Sequence, residues 1–221
     1  MLLSDCVIFI DGEAIIIDKP QGLPVDRPRD GSISLENHVE GLKFGFKRWP
    51  TAVHRLDRDT SGCLLLARNP KAHARFAQAF EAKAVTKNYL AVVEGVPDED
   101  SGVIELALAK FSTQKSGWRM IVDQKSGKSA ITRWEKLAEA GGRALIRFIP
   151  ETGRTHQIRA HAVYGLRAAI VGDPVYGRAG EPMLLHSNFL SVPRDGKPPV
   201  EARAPLPERF AVAGFSTPEC V

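Results

Sequence analysis

The sequence predicts an α+β protein, built on a largely antiparallel or mixed β-sheet with flanking helices. Short apolar segments of strand length dominate the chain, and only a few segments have the apolar spacing of a helix. Turns at Ser126-Gly127 and Gly141-Gly142 are typical of hairpins between antiparallel strands. The 221 residues are 43% hydrophobic and 25% charged, so the chain can bury a substantial core. We therefore predict a single α+β domain over residues 1–221.

The first elements are a hairpin and a buried strand. Segments 6–10 and 14–18 flank Asp11-Gly12, a dipeptide that favours a tight turn between two strands. Several prolines then keep the stretch that ends at Gly31 out of regular structure. The apolar run 63–67 predicts a buried strand.

A helix is expected to begin at Asn69, which suits an N-cap, with Pro70 in its first turn. Phe76 and Phe80 recur at helical spacing, so we expect both to face the core. The later elements are mostly strands. In chain order we predict strands at 89–94, 103–108, 119–122, 131–137 and 144–149, a helix at about 155–164, a loop at 172–174 and a strand at 184–192.

Composition limits the partners and the compartment. A net charge of +4 and a pI near 9.0 allow binding to a polyanion without requiring it. Cys6, Cys63 and Cys220 are odd in number and widely spaced, which predicts neither a disulfide framework nor a zinc site. The chain starts without a secretory signal, and no apolar run reaches the length of a membrane span. We therefore expect a cytoplasmic protein with no membrane partner.

Residues 54–62 form the most polar segment, with the sequence His-Arg-Leu-Asp-Arg-Asp-Thr-Ser-Gly, and they directly precede the predicted strand 63–67. Two arginines, two carboxylates and a histidine beside a buried strand are costly to desolvate unless they pair or act on a substrate. The segment therefore predicts a functional site. It also resembles the signature of the RluA-type RNA pseudouridine synthases, which is His-Arg-Leu-Asp, two variable residues and Thr-Ser-Gly.

This resemblance implies the pseudouridine synthase fold and an RNA substrate, either tRNA or rRNA. Asp57 matches the catalytic carboxylate of the family. The target uridine has to be flipped out of its stack to reach such a residue, and Arg55 is expected to fill the vacated space. Arg58 and Asp59 fall on the variable positions and receive no role. Since the reaction rearranges one nucleotide without adding atoms, no cofactor is expected.

A second polar segment, 153–161, lies between a predicted strand and a predicted helix. If Thr155 opens that helix, Arg159 lies one turn further on the same face as His156, from which it could reach inward. A solvated helix face with a hydroxyl cap would have the same spacing.

The segment 153–161 also resembles a motif of the same family. That resemblance implies that Arg159 pairs with the catalytic Asp57, and we expect Arg154 and His156 to bind the substrate. A neighbouring guanidinium would keep a carboxylate ionised in a partly dry pocket and would fix its orientation.

Tyr89 lies within Lys-Asn-Tyr-Leu-Ala at 87–91, and a tyrosine on a strand is most often a core residue. By resemblance, Tyr89 would stack on the target uracil and could take part in proton transfer. Segments 17–23, 127–132, 172–177 and 184–186 also resemble family segments and are interpreted as structural. The resemblance runs from about residue 13 to about residue 210, and we expect no separate RNA-binding domain before it.

Residues 110–133 carry six Lys or Arg against one Asp, with Phe111 and Trp118 interleaved. This pattern suits phosphates and unstacked bases, and it suits a solvated sheet face nearly as well. Neither the RNA target nor the target uridine follows from it. Nothing in the sequence requires more than a monomer.

Other functions remain open from the residues alone. Asp57 and Asp59 could serve a glycoside or nucleoside hydrolase, although two residues apart on an extended chain they would lie too close together. A metal-dependent hydrolase could recruit His54, Asp57, His156 and His161, although the last two lack the four-residue zinc spacing. Basic charge alone would suffice for a non-catalytic RNA-binding protein.

Overall fold

The computed structural model describes residues 2–28, 31–113 and 117–216 and confirms the α+β class. Cys220 and Lys115 lie outside the described residues. The chain divides into two compact units. Unit 1 comprises Met1–Lys87 and His186–Pro205, and unit 2 comprises Asn88–Leu185 and Leu206–Val221.

The described residues form eleven strands and three α-helices. The strands are β1 Val7–Ile10, β2 Ala14–Lys19, β3 Thr51–Ala52, β4 Ser61–Ala67, β5 Thr86–Glu94, β6 Ser101–Thr113, β7 Gly117–Val122, β8 Lys128–Ala140, β9 Arg143–Pro150, β10 Leu185–Arg194 and β11 Lys197–Arg203. The helices are α1 Pro70–Glu81, α2 Gln157–Gly165 and α3 Glu208–Val212, and short 3-10 helices span Leu3–Cys6, Leu35–Asn37 and Val39–Leu42. No helix in the described part of the chain is long and apolar enough to cross a membrane.

Strand β4 is central to unit 1, and every one of its residues is buried, as the apolar run predicts. It pairs antiparallel with β2 along the whole of that strand and with the short β3. At its start, Ser61 and Gly62 pair with β10 in parallel. Strand β1 pairs with β2, and β11 pairs with β10. The polar segment 54–62 therefore leads directly into the middle of a buried sheet.

Helix α1 packs against this sheet. The Asn69 side chain caps it by accepting a hydrogen bond from the Ala72 amide at 2.8 Å, as predicted. Phe76 is fully buried in the cluster that includes Leu65 of β4, and Phe80 packs against the same cluster. Both phenylalanines thus face the core, as their spacing predicts.

Unit 2 contains an antiparallel sheet in the order β5-β9-β8-β6-β7. Because side chains alternate along a strand, β5 serves two clusters. Ala91 packs with Ile158 of α2, whereas Leu90 packs with Phe210 of α3. Helix α2, which carries part of the second polar motif, is therefore anchored on the sheet.

Two elements differ from the sequence-based prediction. Helix α2 begins at Gln157, because His156 adopts the left-handed conformation (φ 50°) and no side chain caps the helix. Thr155 therefore does not open the helix. Strand β11 was not predicted, since it contains Pro198 and Pro199. These prolines fall where the register with β10 shifts, a position at which a missing N–H is tolerated.

Candidate active site

Asp57 lies at the start of a turn immediately before the buried strand β4. Its carbonyl accepts a hydrogen bond from the Thr60 amide at 3.1 Å, and its side chain is half-buried. The chain therefore turns between Asp57 and Thr60, so the extended geometry assumed for an Asp57 and Asp59 pair is wrong. Strand β4 begins at Ser61, two residues before the predicted start at Cys63, so Ser61 and Gly62 belong to the strand and the turn ends at Thr60.

Lys19 holds this turn through hydrogen bonds from its side chain to main-chain carbonyls. Its side chain is fully buried, and its ammonium donates to the carbonyls of Pro20 and Leu23 at 2.8 Å and of Arg58 at 3.1 Å. A buried ammonium needs such partners to offset the loss of water. The Gly22 amide also donates to the Arg58 carbonyl at 2.9 Å. The loop after β2 is thus tied to the Asp57 turn.

Gly62 allows the close approach of β4 and β10. Its φ is +106°, and a Cβ atom at this position would lie 2.2 Å from the Ser187 carbonyl oxygen. The neighbouring Ser61 Oγ lies 2.8 Å from Nδ1 of His186, which directly precedes Ser187 on β10. A side chain at position 62 would push apart the strands that hold the Asp57 turn.

His54 has a structural role. Its Nε2 accepts a hydrogen bond from the Leu65 amide at 3.0 Å, and its ring stacks on Phe80 with centroids 4.7 Å apart. Burial lowers the pKa of His54 to about 3. The ring is therefore neutral at physiological pH, and it fixes the beginning of the polar segment to β4 and α1.

Arg55 is exposed at the surface of the same segment. Its guanidinium lies 3.1 Å from the Asp26 carboxylate, and both side chains are 66% exposed. An ion pair in water contributes about 1 kcal/mol at most. Arg55 can therefore leave this position at little cost. Its partner Asp26 lies outside the segment 54–62.

In unit 2, Arg159 is buried on α2 and holds Asp173. Its Nε and Nη2 donate to the two carboxylate oxygens at 2.7 and 2.8 Å. One of these oxygens also accepts hydrogen bonds from the amides of Val175 and Tyr176. Burial alone would raise the pKa of Asp173, but Arg159 and the two amides hold it below its usual value. The predicted pairing of Arg159 with Asp57 stays a prediction.

His156 belongs to an aromatic cluster on the same unit. Its ring stacks on Trp118, with centroids 4.6 Å apart, and meets the edge of Tyr176 at 5.8 Å. His156 Nδ1 lies 3.2 Å from the Tyr176 hydroxyl, which accepts a hydrogen bond from the Met120 amide at 2.8 Å. Burial raises the pKa of Tyr176 to about 12. The Arg159 guanidinium lies 5.3 Å from the same ring.

The β6–β7 hairpin brings basic and aromatic side chains to this cluster. Trp118 is 39% exposed, and Lys110 Nζ lies 4.8 Å from the centroid of its ring. Phe111 on the same hairpin is 44% exposed. This part of the predicted basic stretch is thus on the surface.

Arg154 is exposed and donates through Nε to the Ser129 carbonyl at 3.1 Å. Its amide donates to the Gln157 side chain at 2.9 Å, and Gln157 also contacts Thr132. Tyr89 is half-buried on β5, opposite Phe148 of β9. It packs against the core cluster of unit 2, as expected for a tyrosine on a strand.

The structure thus joins Arg159 and His156 in one cluster with Trp118, which the sequence placed in the basic stretch 110–133. The cluster also contains two residues that sequence reasoning did not identify, Asp173 and Tyr176. Position 173 lies in Gly-Asp-Pro, which reads as a turn, and no local pattern signals its partner 14 residues earlier. Among the described residues, no group of three or more His, Cys, Asp or Glu side chains could hold a metal ion.

Comparison with known proteins identifies the family of the chain that contains the two polar segments, 54–62 and 153–161. The family model described as RNA pseudouridylate synthase matches residues 13–163, which include both polar segments. This chain belongs to the RNA pseudouridylate synthase family. It is 56% identical over 218 residues to an uncharacterised RNA pseudouridine synthase of Zymomonas mobilis, covering 97% of this chain and 99% of that protein. It is also 33% identical to the ribosomal large subunit pseudouridine synthase D of Borreliella burgdorferi, covering 93% of this chain and 66% of that protein.

Solved structures agree on the fold. Human RNA pseudouridylate synthase domain containing 4 superposes with a TM-score of 0.83 at 23% identity, covering 98% of this chain and 96% of that one. Human RNA pseudouridylate synthase domain containing 1 superposes with a TM-score of 0.78 at 26% identity, covering 93% and 85%. The expected RluA-type fold is confirmed, and the chain is an RNA pseudouridine synthase, an isomerase. The hydrolase and the non-catalytic alternatives are thereby set aside.

Proposed function

We propose that this synthase isomerises uridines of ribosomal RNA, with Asp57 as the reacting carboxylate. The rRNA target is supported by relatives at 33 and 34% identity that are named ribosomal large subunit pseudouridine synthases. A tRNA substrate is the second candidate. We further propose that the enzyme acts in the cytoplasm and as a monomer.

The observation that carries the role of Asp57 is the fixed turn in which it lies. The hydrogen bond from Lys19 to Arg58 and the close packing of Gly62 against Ser187 hold the turn. The Asp57 carboxylate would therefore have a defined position before the substrate binds. In the reaction the bond from the ribose to uracil nitrogen breaks, the ring turns, and a bond forms to carbon 5, which releases its proton. Asp57 would begin this sequence, either by attacking the sugar or base or by removing a ribose proton.

The remaining site residues would handle the flipped base. The weak surface pair of Arg55 with Asp26 leaves this guanidinium able to enter the space that the uridine vacates and to stack on neighbouring bases. Tyr89 would stack on the uracil. Arg159 would orient the Asp57 carboxylate, while Arg154 and His156 would contact the RNA.

Release of tritium from RNA labelled at uridine carbon 5 tests this function. Cellular rRNA and tRNA are supplied separately to the wild type, to Asp57→Asn and to Asp59→Asn. We expect release by the wild type and by Asp59→Asn, which falls on a variable position, and none by Asp57→Asn, which should still bind RNA. Turnover retained by Asp57→Asn would overturn the catalytic assignment.

Identifying the modified uridine separates the two RNA candidates. After incubation, the position of pseudouridine is mapped in each RNA by carbodiimide modification and primer extension. A modified position in rRNA supports the proposed target, whereas modification of tRNA alone would refute it. Light scattering of the enzyme with and without RNA tests the monomer.

A further inference from the structure

Seven consecutive residues of unit 1 combine three aromatic and three basic side chains with one glycine: Lys43-Phe44-Gly45-Phe46-Lys47-Arg48-Trp49. In this Lys43–Trp49 segment, Phe44, Phe46 and Trp49 are 45%, 38% and 59% exposed. Clustered aromatic rings in water usually mark a surface that a partner covers. No acidic residue offsets the basic ones within the segment.

The segment is held in an unfavourable backbone conformation. Phe44 has a φ of 44°, in the left-handed region that a bulky residue rarely adopts, and Gly45 follows with a φ of 82°. Such backbone persists where the surroundings impose it, and it is frequent at binding sites. Exposure of the Phe44 ring means that the conformation does not serve to bury that side chain.

The buried Arg68 side chain stabilises this conformation through hydrogen bonds to the backbone of the segment. It is 7% exposed, and its Nη2 donates to the carbonyls of Lys43 and Phe44 at 3.1 and 3.2 Å. Its guanidinium also lies 3.7 Å from the centroid of the Phe46 ring. The segment is therefore arranged before any partner arrives.

The Trp49 ring is fixed in the same way. Its indole N–H donates to the Glu40 carboxylate, and Lys43 Nζ lies 5.4 Å from the ring centroid. Beside the ring is a cavity of about 270 Å³, lined by both charged and aromatic groups: Arg48, Trp49, Thr51, Ala67, Arg68, Asn69, Pro70 and His73. A flat ring beside two guanidiniums suits a base together with its phosphate.

We propose that the Lys43–Trp49 segment and this cavity bind an unpaired stretch of the RNA substrate, with a base stacked on Trp49 and phosphates near Lys47 and Arg48. The cavity includes Ala67 at the end of β4, whereas the Asp57 turn precedes Ser61 at its start. The seven residues of this strand span about 20 Å. The segment thus binds RNA at a second position, away from the target uridine. The inference rests on the proposed function only in taking RNA as the substrate.

Binding of a fluorescein-labelled single-stranded oligouridylate, compared with an RNA duplex of equal length, tests this site. Trp49→Ala should weaken binding of the single strand roughly tenfold and binding of the duplex much less, because a stacked base has to be unpaired. Trp49→Phe should restore most of the affinity. Arg48→Glu should reduce the slope of log affinity against log salt by about 0.7 or more.

Two exposed residues of unit 1 provide matched controls. Ile33→Ala removes an apolar side chain that is 63% exposed, and Lys83→Glu reverses a charge at the other end of α1. Neither should change affinity or salt dependence by more than about twofold. A 5-iodouridine oligonucleotide should form a photo-crosslink that mass spectrometry maps to Trp49. Thermal unfolding confirms that each variant is folded.

Unchanged RNA affinity in both Trp49→Ala and Arg48→Glu would overturn the proposal, as would a crosslink that maps only outside residues 43–49. This failure is distinct from failure of the proposed function. If uridines are isomerised while the Trp49 variants bind normally, only the second position is wrong. If no RNA is isomerised although the crosslink forms at Trp49, only the proposed rRNA function is wrong.

Discussion

Arg159 holds Asp173 through two hydrogen bonds in the interior of unit 2, where the aspartate side chain is completely buried. Because a carboxylate accepts from both arms of a guanidinium at once, this pair fixes the plane of the Arg159 head group. Arg159 is the last arginine of the second polar segment, residues 153–161, which resembles a family motif. Its orientation is therefore set by a residue that the motif does not contain.

Asp173→Asn should destabilise the protein and impair turnover together. Removing one member of a buried ion pair leaves the other charge uncompensated, which costs about 3–5 kcal/mol. Urea unfolding gives the free energy, and tritium release gives the rate at a temperature at which the variant is folded. Glu181→Gln is the matched control, since its pair with Arg143 is on the surface. A midpoint equal to that of the wild type would contradict the role of Asp173.

Gly62→Ala tests the approach of β4 and β10. A Cβ atom 2.2 Å from the Ser187 oxygen forces the strands apart, and the positive φ adds strain. We expect a loss of about 3 kcal/mol or more in the free energy of unfolding, and a lower yield of folded protein. At Gly12, a Cβ atom would meet nothing within 4 Å. Gly12→Ala should therefore be nearly neutral, and equal effects at the two positions would refute this explanation.

Lys19→Met should loosen the Asp57 turn. The variant keeps the length of the side chain but removes the ammonium donor from the Pro20 and Leu23 carbonyls, at a cost of roughly 1–3 kcal/mol for each carbonyl that water cannot reach. The Arg58 carbonyl loses one donor and keeps the Gly22 amide. Turnover should fall at least about tenfold, corresponding to about 1.4 kcal/mol in the barrier, while RNA affinity changes little. Lys83→Met, on an exposed lysine, is the control. Full activity in folded Lys19→Met would show that the turn holds its shape without the ammonium.

The stability of the protein should fall in mild acid because of His161. This ring is fully buried, and neither of its nitrogens has a hydrogen-bond partner among the described residues. Burial lowers its pKa from 6.5 to about 4. Between these values the unfolded chain binds the proton and the folded chain does not, so the free energy of unfolding falls as the pH falls from about 6.5 to 4. The loss is about 3 kcal/mol at most.

Urea unfolding at several pH values measures this effect. His161→Leu should reduce the dependence over that range, because it removes one of the buried groups whose protonation favours the unfolded state. His54, whose pKa burial lowers to about 3, contributes to the dependence that remains. His38→Gln, at an exposed histidine, should leave the slope unchanged. If His161→Leu and the wild type lose stability in parallel, His161 is not the group responsible.

Local patterns in the sequence were sufficient for much of the fold. Asn69-Pro70 marks the start of α1 because capping depends on adjacent residues, and the run 63–67 marks β4 because burial on both faces leaves only apolar side chains. The start of α2 was placed too early, because no local pattern predicts the left-handed backbone of His156, whose ring contacts Trp118 and Tyr176 from distant parts of the sequence.

In the site, too, local motifs were recognised from the sequence, whereas contacts between distant residues were not. The resemblance of two motifs identified the family, but the partners that shape those motifs were not evident. Asp173 lies 14 residues from Arg159, and Lys19 lies 39 residues from Arg58. Such contacts form only when segments that are distant in sequence come together in the folded chain. The Lys43–Trp49 segment was not identified from the sequence either, although it combines three aromatic and three basic side chains within seven residues.

The bond between the Lys19 ammonium and the Arg58 carbonyl also separates two kinds of sequence constraint. The bond uses the main chain, so it forms whatever side chain position 58 carries. A different side chain at position 58, which the family signature leaves variable, would lose the bond from Arg58 Nε to the Gly22 carbonyl at 3.3 Å but would keep the bond to Lys19. Divergence at this position is therefore compatible with one and the same main-chain arrangement around Asp57.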